Sequence, residues 1–260
     1  MRLGVLPDRV DEALGGAEAH TRRLLARAAA LDMAPVVACL EGTGGPGVET
    51  LLVPAPRRRP ARDRCFAREG IGRLREAGAD VVLAFRHAPG CDVYLPHGGL
   101  VADALLARDH THRAWAPRRL ARALSPKTRF FLEAERALLA RSRGPRVIAV
   151  SQALAARIRA CYPAAAPRLD VGPNGVAVRH FDPAGFRAAG ARERSALGLA
   201  RPRAYVGLLI ARDPLLKGAE VAVKSLAEEG VRALDPPFHL LVAGARLPAW
   251  LRRRARRLGV

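Results

Sequence analysis

Two cations stand at a strand-to-helix junction in the last quarter of the chain. The apolar, β-rich run Tyr205 to Ile210 ends at Arg212, a turn with Asp213 and Pro214 follows, and Lys217-Gly218 opens an amphipathic helix. The first N–H groups of a helix have no intrahelical partners and carry a partial positive charge. Arg212 and Lys217 beside them make a junction suited to a diphosphate. The same residues fit, equally well, an ordinary strand-to-helix turn with two solvated cations. A second junction of this type lies near the N-terminus. A buried strand over 2–6 is followed by a loop that closes with Gly15-Gly16-Ala17-Glu18, and a helix pattern runs over 17–31 with Leu24, Leu25, Ala28 and Leu31 on one face. Strand, glycines and helix form a nucleotide-type βα unit. It is not a dinucleotide fingerprint: G-x-G-x-x-G is absent, and Glu41 after the next strand is by itself a weak sign of a ribose-binding acid. The Gly15-Gly16 pair also fits a plain Gly-rich helix entry.

The elements that must hold these junctions alternate between strand and helix. Strands are predicted over 35–40, 49–53, 80–85, 146–150, 169–171 and 238–244. Helices are predicted over 66–77, 100–142, 152–161 (capped by Ser151), 186–197 and 249–258. The run Asp80-Val-Val-Leu-Ala-Phe85 is apolar throughout, as in a parallel strand covered on both faces. Alternation of this kind implies doubly wound α/β sheets. A domain over 1–171 and a second starting at 172 and running to 260 account for the pattern.

Composition narrows the classes. The chain has 260 residues and a formal net charge of +20, with half its residues hydrophobic, so it is folded and large enough for one large or two small domains. No run approaches the roughly 18 apolar residues of a membrane span, and the N-terminus turns polar too soon for a signal peptide. A cytoplasmic protein is expected. Cys39, Cys65, Cys91 and Cys161 are scattered and form no C-x-x-C pair, so they fit core thiols in a reducing compartment rather than a zinc or redox motif. Lys127, Lys217 and Lys224 are the only lysines; the remaining basic residues are arginines, densest over 57–64 and 252–257. Such a surface attracts polyanions, an anionic membrane surface among them. A nucleic-acid partner is not expected, because aromatics are not interleaved with the arginines.

Several stretches resemble retaining GT-B glycosyltransferases of the family 4 type, and in particular the lipopolysaccharide-core glucosyltransferases. Ile210-Ala211-Arg212 followed by Lys217-Gly218 resembles the family's V-G-R…K-G donor signature, with Ala211 where the family usually has Gly. Gly15-Gly16-Ala17-Glu18 resembles its N-terminal glycine loop. Pro89-Gly90-Cys91-Asp92-Val93-Tyr94 resembles its P-G-x-D-V-Y run, although Gly98, preceded by His97, stands where that group has an acid. Phe130 to Arg136 is similar to its E-R helix. Asn174-Gly175-Val176 and Phe181-Asp182-Pro183 resemble its interdomain loop, with Ala177 in place of Asp.

The resemblance implies a GT-B fold of two Rossmann-like domains, 1–171 on the acceptor side and 172–260 as the start of the nucleotide-sugar domain. It implies hexose transfer, from UDP-glucose as the expected donor, to a glycan or lipid-linked acceptor of the lipopolysaccharide-core type. No metal cofactor is implied, because Arg212 and Lys217 would neutralise the diphosphate. Gly15 and Gly16 would let the phosphates approach, and His97 would orient sugar or acceptor. Asp92 is a further acceptor-side candidate, with loop bracing as its alternative; Asn174 and Gly175 mark the crossing between domains. His97 also fits a simple turn residue before two glycines. The segment over 113–129, with Trp115, is a candidate membrane contact or a solvated basic helix. The family's late paired glutamates have no counterpart after Lys217, so the second domain is expected to be incomplete. A catalytically inactive remnant that binds an anionic membrane or a partner protein is the alternative function.

Overall fold

Strand β1 (Arg2–Leu6) is the third strand of a seven-stranded sheet. The structure is a computed structural model that describes residues 1–11, 15–106, 125–176, 178–199 and 205–260. β3 (Ala34–Cys39) pairs with β1 on one side and β5 (Glu49–Leu52) extends that edge. On the other side follow β6 (Val81–Ala84), β7 (Val93–Tyr94), β8 (Arg146–Ala149) and β9 (Leu169–Val171), all parallel. Two short segments, β2 (Arg9–Val10) and β4 (Glu41–Gly42), form a separate ribbon just past the ends of β1 and β3.

The two-residue period of a strand divides the apolar side chains between the faces. Leu6, Val36, Ala38, Val82, Ala84, Val147 and Ala149 face one core, together with Phe66 and Leu74 from α2 (Ala61–Glu76) and Leu138 and Leu139 from α4 (Pro126–Leu139). Val5, Val37, Cys39 and Leu83 face the other, beneath Leu25 of α1 (Gly16–Ala29). Because both faces are covered, the central strands read as unbroken apolar runs. α5 (Gln152–Cys161) completes the first layer with Ala155 and Ile158.

The helix expected over 100–142 is corrected. Among the described residues that stretch holds two helices, α3 (Val101–Leu106) and α4, and the residues between them, including Trp115, lie outside the described ones. Ser125 and Pro126 start α4 afresh: the Ser125 hydroxyl accepts from the Thr128 N–H, and proline at the first helical position needs no donor. The same logic starts α6 (Pro183–Ala196) three residues before the predicted Phe186, with Asp182 accepting from Ala184 N–H.

The chain divides into Met1–Gly175 and Val176–Val260. In the second unit, β10 (Tyr205–Ala211) and β11 (Phe238–Gly244) pair in parallel over their full length. One face is covered by α7 (Ala219–Ser225) and α9 (Ala249–Leu258), with Ala219, Val223 and Leu251 buried against Leu209 and Leu240; α8 (Glu229–Arg232) links α7 to β11. The other face leaves Leu208 60% and Ile210 72% exposed.

Candidate functional site

The strand order β5-β3-β1-β6-β7-β8-β9 changes direction between β1 and β6. Connections leaving the carboxyl ends of those two strands part to opposite sides, and the crevice they leave is where open α/β sheets bind ligands. From the end of β1 come Pro7, Asp8 and Arg9; from the end of β6 come Phe85 and Arg86; from the end of β7 come His97 and Gly98. With Ala17, Glu18 and Thr21 of α1, these line a cavity of about 230 Å³.

Gly15 and Gly16 enter α1 at this crevice. Gly15 is the N-cap, with φ 152° and ψ −175°, a conformation that only glycine adopts without strain. Gly16 has space where a side chain would be: a Cβ there would meet nothing within 4 Å. Glu18 occupies the first turn, where a carboxylate is favoured by the helix dipole.

His97 is held by aromatic edges. Its ring centroid lies 4.9 Å from Phe85 and 5.0 Å from His20, which itself meets Phe85 edge-on at 6.2 Å. Burial lowers the His97 pKa and the neighbouring His20 lowers it further, while a hydrogen bond with the Asn174 side chain pulls the other way. His20 is also lowered, by burial and then by Arg23. Both rings are therefore neutral at pH 7. The Nε2 atom of His97 is buried and has no hydrogen-bond partner, so a neutral imidazole has one polar atom left for a ligand.

Arg86 closes the cavity through an ion pair from its Nε to Asp8, 3.0 Å away. Burial raises the Asp8 pKa; Arg86 acts against that rise. On its far side Arg86 lines a second, larger cavity of about 440 Å³, with His87, Gly98, Leu100, Lys127 and Phe131 among its walls. The floor beneath that cavity is pinned by Glu135, which is fully buried. Its carboxylate accepts from Val101 N–H (2.5 Å), Ala102 N–H (3.0 Å) and the Tyr162 hydroxyl (2.7 Å), and lies 3.4 Å from His87 Nε2. Burial alone would raise its pKa; these hydrogen bonds together hold it below the ordinary value.

Of the residues expected at a site, the first unit brings His97 and Asn174 together and sets the Gly15-Gly16 helix entry at the same crevice. Asp92 does not join them. It precedes β7, at the amino end of the parallel strands, where its Oδ2 accepts from Val82 N–H (2.7 Å) and from Arg75 (2.5 Å). It braces the sheet on the edge opposite the crevice, and the acceptor-side role expected for it is corrected to that of a brace. Gly175 is the last residue of the first unit, with a backbone that any residue could adopt.

In the second unit, Arg212 and Lys217 are both exposed on the loop from β10 to α7. That loop is a self-contained turn. The Asp213 carboxylate accepts from Leu216 N–H at 3.1 Å, the Asp213 carbonyl from Lys217 N–H at 3.2 Å, and the Pro214 carbonyl from Ala219 N–H at 2.8 Å. Gly218 supplies the left-handed residue before the helix, with φ 84°. The expected bare N–H groups are thus occupied from 216 to 219. The first turn of the helix also carries Glu220, which pairs with Lys224 and Arg254. Arg212 and Lys217 bring two side-chain cations to this loop.

Sequence reasoning missed Asp8, His20, Phe85, Arg86 and Glu135. Each acts through partners tens of residues away, and the one available signal was position, since Asp8 and Phe85-Arg86 directly follow the two strands that flank the crevice.

A family model describing Glycosyltransferase Family 4 matches residues 14–180, well over half of the chain. The chain belongs to glycosyltransferase family 4. No curated protein shows a sequence match to it. Among solved structures, this family 4 chain is similar to WaaG, a glycosyltransferase involved in lipopolysaccharide biosynthesis, with a TM-score of 0.79 at 20% identity over 99% of this chain and 67% of that one. It is also similar to HepE of Anabaena, solved in complex with UDP-glucose, with a TM-score of 0.56 at 17% identity over 99% and 65% of the two chains. A glycosyltransferase from Rickettsia africae gives 0.54 at 13% identity over 99% and 64%. The chain therefore spans about two thirds of the length of these proteins. At these identities the likeness shows the fold, which is GT-B.

Proposed function

We propose that this family 4 chain serves transfer of a hexose from a nucleotide sugar, with UDP-glucose as the donor, to a hydroxyl of a glycan or lipid-linked acceptor of the lipopolysaccharide-core type, with retention at the anomeric carbon. The observation that carries the reading is the crevice at the β1/β6 switch point, where a glycine-opened helix entry and a neutral histidine with an unpartnered Nε2 converge. His97 orients the sugar or the acceptor through that atom. Gly16 leaves room for the phosphates. Arg212 and Lys217 stabilise the negative charge that develops on the departing diphosphate, a preorganised electrostatic role that stands in for a metal ion. HepE, a structural relative, is solved with UDP-glucose, which supports the choice of donor.

Titration calorimetry with UDP tests this. UDP is expected to bind, and Lys217→Ala and Arg212→Ala are each expected to weaken it by about tenfold, the worth of one charge-assisted contact. Unchanged affinity in both variants would refute the donor assignment.

A second reading rests on α9. Its exposed arginines 252, 253, 256 and 257 and the partly exposed Trp250 form a basic face suited to an anionic membrane surface at the cytoplasmic side. No helix among the described residues is long and apolar enough to cross a membrane. Sedimentation with anionic vesicles that disappears in high salt, without UDP binding, would favour this non-catalytic role.

A further inference from the structure

The larger cavity of the first unit has a charge pattern that the donor reading does not use. Among its described lining residues are three permanent cations, Arg59, Arg86 and Lys127, and no carboxylate. The two acids that serve those arginines lie behind the wall. Asp63 meets the Nε of Arg59 at 3.3 Å, and Asp8 meets the Nε of Arg86 at 3.0 Å. Both pairs meet through Nε. Lys127 has no acidic partner among the described residues.

The rest of the lining suits a sugar ring. Phe131 offers an aromatic face, with the Arg86 guanidinium 5.8 Å over it and the His87 ring 5.3 Å away. Gly98 and Gly99 present bare backbone, and Thr128 brings a hydroxyl. A volume of about 440 Å³ is in the range of small-ligand sites. The cavity shares Arg86 and Gly98 with the crevice that holds His97, so a ligand in one lies a single side chain from the other.

We propose that this cavity is the acceptor subsite and that the acceptor it takes is an anionic sugar, one bearing a phosphate monoester or a carboxylate. Arg59, Arg86 and Lys127 hold the charged group, and Phe131 carries the ring. The assignment as acceptor rests on the glycosyl-transfer reading; the preference for an anionic sugar rests on the cavity alone.

Calorimetry on the intact chain with glucose 6-phosphate, glucuronate, glucose and inorganic phosphate separates the possibilities, with UDP titrated in parallel. A charged sugar is expected to bind at least about tenfold more tightly than glucose; comparing the two charged sugars shows whether phosphate or carboxylate is preferred. Lys127→Ala and Arg59→Gln, both at exposed positions, are each expected to remove about tenfold of that affinity while leaving UDP unchanged. Phe131→Leu is expected to weaken the sugars and spare inorganic phosphate. Equal binding of glucose and glucose 6-phosphate would overturn the proposal. So would inorganic phosphate binding as tightly as glucose 6-phosphate, which would mark a mere anion patch. Displacement of glucose 6-phosphate by UDP would assign the cavity to the donor and overturn it as well. Charged-sugar binding in a chain that fails to bind UDP would keep the anionic-sugar site and sink the glycosyl-transfer reading instead.

Discussion

Replacing Glu135 by Gln tests how the floor of the larger cavity is held. The carboxylate is fully buried on α4 and receives two backbone N–H groups from the start of α3 and one hydroxyl from Tyr162, beyond α5. One side chain thus ties three elements that are distant in sequence. Glutamine keeps the shape but loses the charge, and its amide group must point an N–H₂ donor at other donors. Hydrogen bonds to a charged group contribute about 1.5–3 kcal/mol each, and a buried donor left without a partner costs about 1–3 kcal/mol. With one oxygen retained and one lost, the expected loss is about 3 kcal/mol. For a chain of this size that lowers the melting temperature by roughly 6–12 °C.

The assay is thermal unfolding followed by near-ultraviolet circular dichroism, in both proteins, across acidic pH. Because hydrogen bonding holds the folded pKa of Glu135 below its unfolded value, the wild type has the full contribution above about pH 4.5 and loses it as pH falls through the folded pKa. Glu135→Gln is expected to lack that part of the acid dependence. Tyr162→Phe, which removes one donor and leaves the carboxylate its two N–H partners, is expected to cost less, about 1.5 kcal/mol, the lower end of that range. A glutamine variant that melts within about 1 °C of wild type, or that keeps the wild-type acid slope, would refute the view that the charge organises these elements.

The two glycines at the helix entry should behave differently. Gly15→Ala is expected to cost about 1–3 kcal/mol, because φ 152° is closed to a side chain, whereas Gly16→Ala should leave the melting temperature unchanged and weaken UDP; a loss of stability at Gly16 would contradict the open space around it. His97 and His20 have folded pKa values below that of the unfolded chain, so stability should be complete above about pH 6.5 and decline below it as unfolded histidine takes up protons. Melting curves between pH 7.5 and 5.0 should show this slope reduced in His97→Gln, and an unchanged slope would argue against the half-buried neutral ring.

The parallel sheet was legible in the sequence because burial on both faces writes itself as runs without polar interruption. Val36 to Cys39 and Val81 to Ala84 could hardly be anything else, and the strand over 238–244 and the helix over 249–258 match residue for residue. The break between α3 and α4 was marked by Ser125-Pro126, a start signal inside what reads as one helical stretch. The site was legible where chemistry and chain position coincide, as at His97 and the Gly15-Gly16 entry. Asp92 misled because its neighbours fit a motif while its place did not: it comes before a strand, and parallel sheets bind ligands past the ends of theirs. Glu135 could not be read at all. Its partners lie 27 to 48 residues away, and a glutamate in a charged helix gives no sign of being buried.

Arg86 explains why two cavities of different character can adjoin. Its Nε is engaged by Asp8 on the side of the small crevice, where the nearby histidines are kept neutral by burial. Its guanidinium lies over Phe131 on the side of the larger cavity, where Arg59 and Lys127 add to its charge. A cation placed in this way separates a crevice of mixed charge, with Asp8, Arg9 and Glu18 among its walls, from a positively charged cavity. Neutral hydroxyls are handled best on the first side, where an imidazole can exchange hydrogen bonds without changing charge. An anionic substituent is held best on the second. Loss of Asp8 would release the Arg86 guanidinium and blur that boundary. Asp8→Asn is therefore expected to shift selectivity between neutral and charged sugars while leaving the sheet beneath it intact.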